Sequence, residues 1–175
     1  MQLLTQILTH TPRWVFALFA LLVWMGAKQL LAGSVSLTRV TLLPIAMTGL
    51  SFYGMLSAFG DSPLALLGWA GAATLLLLTV QRWPLPAAAR FDAATRTFHL
   101  PGSAVPLVLF MGIFFTKYAV GVLLAMHPEL ARHAGFALGI GTLYGAFSGI
   151  FAARALRLWK LAIREDREAL PAAGV

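Results

Sequence analysis

The chain has 175 residues, of which 59% are hydrophobic and only 11% charged; mean hydropathy is +0.82 and formal net charge is +7. A water-soluble domain carries about a quarter charged residues, so a soluble globule is excluded and lipid is the natural solvent. Basic residues punctuate apolar runs instead of forming one basic face, which argues against nucleic acid as a partner. Cysteine is absent, and with it disulfides, thiolate metal sites and Cys-linked haem.

The first residues, 1–11, carry Leu3, Leu4, Ile7 and Leu8 on one helical stripe and read as an interfacial lead-in. A first span follows at about 13–32, opened by Pro12, whose missing N–H suits a helix start. It is retained in the membrane and not cleaved: its leading end is weakly basic, its apolar run is long, and Lys28 and Arg39 follow it. A second span covers about 40–59, rich in small and hydroxylic residues, and the turn Gly60-Asp61-Ser62-Pro63 leads to a third at about 63–81. Residues 82–104 form a loop. Within it Phe91 and Phe98 flank a polar turn that Asp92 and Thr95 can close, which predicts a β-hairpin. The fourth span is about 105–126. The fifth, about 134–153, continues as a basic helix through Arg167, before a flexible tail at 168–175. Runs of this length cross a hydrocarbon core of roughly 30 Å, and their backbones must be helical because lipid offers no hydrogen-bond partner.

The expected fold is thus all-α: a single membrane domain of five transmembrane helices with a small hairpin between helices 3 and 4. Of 13 Lys and Arg, this layout puts Lys28, Arg39, Arg82, Arg90, Arg96, Arg154, Arg157, Lys160, Arg164 and Arg167 on one side. Arg13 and Arg132 fall on the other. The basic side is cytoplasmic by the positive-inside rule, giving an outside N-terminus, an inside C-terminus and a cytoplasmic hairpin in a bacterial inner membrane.

Lys117 lies within the fourth span. Counting back from Met126 places it about 13 Å below the outer surface. An ionisable group at that depth faces the bundle interior or a wet cavity, with Gly121 leaving room on the same face. Tyr118, Ser51, Tyr53, Thr142 and Tyr144 come to similar depths and make a polar layer with it. No carboxylate lies within a span, and Asp61 at the outer rim is the candidate counter-ion. Such a layer serves either to fix packing or to bind an anion or lipid headgroup.

Gly141, Gly145 and Gly149, with Ala153, recur every four residues and form a face for close helix approach, in the same chain or in a homodimer. Arg154, Arg157, Lys160 and Arg164 surround Leu156, Trp159 and Ile163 and suit anionic lipid headgroups. His10, His127, His133, Asp61 and Glu129 share the outer side without HxxxH spacing, so no metal site is assigned. Neither a catalytic motif nor a cofactor fingerprint is present.

The stretch Leu42-Leu43-Pro44-Ile45-Ala46-Met47 resembles an uncharacterised family of small proteobacterial inner-membrane proteins. So do Phe91-Asp92, Thr97-Phe98-His99-Leu100-Pro101-Gly102-Ser103 and Phe115-Thr116-Lys117-Tyr118, and the resemblance covers most of the chain. The layout, a Pro-containing second span and a hairpin before a fourth span with an internal basic residue, is similar to a five-helix family labelled cytochrome-c-biogenesis-associated. Neither resemblance implies catalytic residues, and the lack of Cys speaks against thiol or haem-ligating work. The leading expectation is a non-enzymatic packing or complex-accessory protein. Its partners are membrane lipids and a second copy or a larger membrane complex. A transporter or channel component for a small anion or lipid, using Lys117, is the alternative, and a membrane enzyme comes third.

Overall fold

The structure, a computed structural model, describes residues 11–60 and 62–169. The leading stripe, His10, Asp61 and residues 170–175 lie outside the described residues. In chain order the elements are α1 (Arg13–Lys28), β1 (Gly33–Ser36), α2 (Leu37–Phe59), α3 (Pro63–Val80), β2 (Arg90–Asp92), β3 (Thr97–Leu100) and α4 (Val105–Met126). A 3-10 turn (Pro128–Arg132) and α5 (Ala134–Ala169) complete the series. Helices α2, α3, α4 and α5 are each long and apolar enough to cross a membrane. Helix α1 stops at Lys28, short of the expected 32. Its 16 residues rise only about 24 Å.

The chain divides into two compact units, one holding residues 1–31 and 102–129, the other 32–101 and 130–175. In the first, α1 and α4 run antiparallel. Phe19 packs on Phe114 and Phe115 at centroid distances of 5.2 and 6.0 Å. Nearer the other end, Gly26 lets α4 approach so closely that an added Cβ would lie 2.9 Å from Leu107 Cα. Where the helices meet the rest of the chain, the Ser103 N–H donates to the Gln29 carbonyl at 2.7 Å. That bond satisfies one of the carbonyls left open at the end of α1.

The second unit is built around α5, with α2 antiparallel and α3 parallel to it. The corner between α2 and α3 is made by Gly60 at φ 57° and by Ser62, whose hydroxyl accepts the Ala65 N–H before Pro63 opens the helix. Pro44 sits inside α2. Along the α3–α5 contact the small residues do the work. A Cβ added at Gly141, Gly145 or Gly149 would run into the carbonyl oxygens of Ala65, Trp69 and Ala73 respectively. From the opposite side, one added at Gly68 would lie 2.8 Å from the Leu138 oxygen. Backbones this close gain dispersion contacts that larger side chains would forbid. The face is therefore covered by α3 of the same chain, and Ala153 is fully buried.

The chain is mostly helical, and the expected hairpin is present as two strands of a three-stranded sheet. Residues 33–36, between the first two expected spans, pair with β3, giving an antiparallel sheet in the order β1-β3-β2. The register sets Ser34 and Arg90 on either side of His99, and Val35 and Phe91 on either side of Phe98. Alternation across the pleat then sends Val35, Phe98 and Phe91 to one face. There Phe98 and Phe91 form a small core with Val40 of α2 and with Leu158 and Ala162 of α5. The β2–β3 turn has no glycine; Arg96 takes the left-handed position at φ 52°. Its carbonyl accepts the Leu37 N–H at 3.0 Å, tying the sheet to the start of α2.

Candidate functional site

Lys117 and Tyr118 belong to the first unit. Lys117 is half-buried on α4, in the middle of an aromatic stretch. Phe114 stacks on the Tyr118 ring at 6.1 Å and 6° and meets Phe115 edge-on at 5.6 Å. The Tyr118 hydroxyl is bonded to Thr11 Oγ1 at 2.7 Å, so its polar end is held by the chain just before α1. One turn beyond Lys117, a Cβ added at Gly121 would meet nothing within 4 Å. The proposed counter-ion Asp61 lies outside the described residues.

The remaining members of the expected polar layer belong to the second unit and do not converge there. Ser51 faces α5 and donates its hydroxyl to the Tyr144 carbonyl at 3.2 Å. Two more groups join it: Trp69 Nε1–H donates to Ser51 Oγ at 3.2 Å, and Ser148 donates to the same Tyr144 carbonyl at 3.0 Å. Tyr53 points the other way and is 69% exposed, because two residues along a helix turn about 200° from Ser51. Thr142 is exposed, with its hydroxyl oxygen close to Gly68 of α3. Trp69 and Ser148 were not foreseen as members. The signal was available in Trp69 sharing a helix face with Ala65 and Ala73, one turn away on either side.

The basic residues of the second unit gather where the sheet is. Arg39 opens α2, Arg82 follows α3, Arg90 and Arg96 are in the hairpin, and Arg154, Arg157, Lys160, Arg164 and Arg167 line the last turns of α5. Among the described basic residues of this unit, only Arg132 stands at the opposite end of these helices. Several of the cations bond locally. Arg157 Nη1 donates to the Trp83 carbonyl at 3.2 Å and the Pro84 carbonyl at 3.5 Å, closing the loop after α3. Lys160 Nζ reaches Gln81 Oε1 at 3.2 Å, and Trp159 Nε1 donates to Thr41 Oγ1 at 3.1 Å. Arg164 lies 3.8 Å from Glu168. In the turn of the hairpin, Asp92 accepts from the Thr95 hydroxyl at 2.7 Å and from the Ala94 N–H at 2.9 Å. These bonds, the Thr95 hydroxyl first among them, hold its carboxyl below the usual carboxylate range.

Of the histidines expected on the outer side, His127 and His133 fall in different units. His127 Nδ1 is 3.1 Å from Glu129 Oε1 in the first. In the second, His133 Nδ1 accepts the Phe136 N–H at 3.3 Å and so caps the start of α5. Among the described residues no three His, Asp or Glu side chains form a metal-binding group.

Compared with known proteins, the chain matches the model of DUF6622, described as a family of unknown function, over residues 1–171. No curated protein and no solved structure matches it.

Proposed function

We propose that this chain, which belongs to the DUF6622 family, is a multi-pass membrane protein working without chemistry of its own, as a packing or accessory subunit of a membrane assembly. The observation that carries this reading is the use made of polar groups within the apolar helices. Ser51 of α2 donates to the Tyr144 carbonyl of α5 and accepts from Trp69 Nε1 of α3, so one hydroxyl ties the three helices together, while Ser148 bonds the same carbonyl from within α5. In lipid such bonds act as fixings between helices. Large apolar side chains such as Leu67, Leu75 and Val108, each more than 60% exposed, supply the surface that lipid or partner helices cover. Five passes in a bacterial inner membrane, with the sheet and the basic end of α5 in the cytoplasm, fit the positive-inside rule.

Native mass spectrometry of the protein extracted gently from its own membranes tests the proposal. A discrete assembly well above the 18.8 kDa of one chain is expected. A bare monomer under every mild detergent would overturn it.

The half-buried Lys117 on α4 favours a second reading, a passage or binding place for a small anion or lipid. Lys117→Met separates the two. The accessory reading expects the assembly and the stability to persist, because Met keeps the stem and removes only the charge. The transport reading expects insertion without transport of chloride or phosphate in proteoliposomes.

A further inference from the structure

We infer that Arg154 and Arg157 of α5 form a specific site for the phosphate of an anionic phospholipid; the inference rests on the membrane reading above. The depth is right. Counting from Ala134 to Arg154 at about 1.5 Å per residue gives about 30 Å, the thickness of the hydrocarbon core. Arg154 therefore stands where the acyl region gives way to headgroups, and Arg157 lies one turn further out. Trp83 and Trp159, both exposed and both close to this level, are the residues that settle at such an interface.

Burial singles out these two, because every other cation at this end of the second unit is exposed. Arg164 has Glu168 beside it, and Lys160 is engaged by Gln81. Neither Arg154 nor Arg157 has a carboxylate within ion-pairing distance among the described residues. Both are half-buried. Arg157 turns one end of its guanidinium to the Trp83 and Pro84 carbonyls, which are neutral acceptors, while its Nε is buried with no hydrogen-bond partner. A partly desolvated pair of guanidinium groups one turn apart on a helix lacks the anion that would offset the cost of its burial. Guanidinium groups fit phosphate oxygens with two parallel N–H donors each, a match an ammonium group cannot make. A lipid phosphodiester at headgroup depth supplies the charge, the geometry and the location together.

The test uses the purified full chain in non-ionic detergent. Native mass spectrometry follows one-lipid occupancy during titration with phosphatidylglycerol or with phosphatidylcholine of the same acyl chains. Phosphatidylglycerol should be retained over phosphatidylcholine. Arg154→Gln and Arg157→Gln should each weaken its retention about fivefold, from the roughly 1 kcal/mol a basic residue contributes near an anionic surface. Arg164→Gln, at an exposed position two turns beyond Arg157 with Glu168 beside it, should leave retention unchanged. Arg157 also braces the loop after α3, so Arg154→Gln keeps the test valid if Arg157→Gln unfolds. Equal occupancy by the two lipids, or wild-type occupancy in Arg154→Gln, would overturn the site. Displacement of the lipid by millimolar inorganic phosphate would identify a soluble anion as the occupant and overturn it equally. Alkaline carbonate extraction of the same variants keeps the two readings apart, since a chain washed off membranes would refute the membrane reading itself.

Discussion

Substituting Gly145 by Ala adds one carbon where the backbones of α3 and α5 meet. That carbon would sit 2.7 Å from Trp69 Cα and 2.7 Å from its carbonyl carbon, and nearer still to the carbonyl oxygen. Non-bonded carbons settle at about 3.5–4.0 Å, so α3 must retreat by roughly 1 Å. Because the obstacle is backbone, no rotamer change relieves it. The retreat loosens the neighbouring Gly141 and Gly149 contacts and disturbs the bond from Trp69 of α3 to Ser51 of α2. Overpacking of this kind costs about 1–3 kcal/mol, which for a chain of this size lowers Tm by about 2–12 °C. Gly139, on the same helix, is the matched control: its added Cβ would meet nothing within 4 Å. Gly139→Ala should leave Tm unchanged or raise it slightly, since Ala is the better helix former by about 1 kcal/mol. The assay is thermal unfolding of both variants in one detergent, followed by intrinsic tryptophan fluorescence. Equal Tm values for the two would refute the claim that the glycine face carries the α3–α5 contact.

Replacing Trp69 by Phe removes the donor to Ser51 and keeps most of the ring, so stability should fall by about 1 kcal/mol, read in the same melting assay. Arg96→Gly should stabilise the β2–β3 turn by up to about 1 kcal/mol, because Arg96 occupies a left-handed position at φ 52°; Arg96→Val should weaken it. Asp92 has a folded pKa below its ordinary value of 3.8, so its contribution to the turn is complete above that value and is lost as pH falls through the lower folded one. The Ala94 amide resonance should accordingly titrate with a midpoint below 3.8, and Asp92→Asn should abolish that titration.

The parts of this fold that were legible in the sequence are those governed by local chemistry and by long apolar runs. Helix α4 begins and ends where expected because Pro106 favours a helix start and the chain turns at His127-Pro128. The α2–α3 corner was equally readable from Gly60 and Pro63. The basic helix beyond residue 153 was visible in its charge pattern, and it reaches Ala169. Strand β1 was hidden because Gly33-Ser34-Val35-Ser36 has a single apolar residue, and its extended form depends on β3, far along the chain. The left-handed Arg96 was masked for the same reason: sheet pairing on both sides imposes a conformation that Arg would not choose alone.

The polar residues were read less well. Depth alone grouped Ser51 with Tyr53, yet depth says nothing about which side of a helix faces a neighbour. The spacing of Gly141, Gly145 and Gly149 announced a close contact without naming α3 as its other half. That assignment depends on Ala65, Trp69 and Ala73 keeping the same four-residue spacing, a match between two distant segments.

The most direct test of the central claim, a multi-pass membrane protein whose sheet and basic end face the cytoplasm, is cysteine mapping in intact bacterial cells. The chain has no cysteine, so single substitutions report without background. The account predicts that a membrane-impermeant maleimide labels Glu129→Cys in whole cells but reaches His99→Cys, exposed on the sheet, only after the cells are lysed. Labelling of His99→Cys in intact cells, with Glu129→Cys protected, would contradict it.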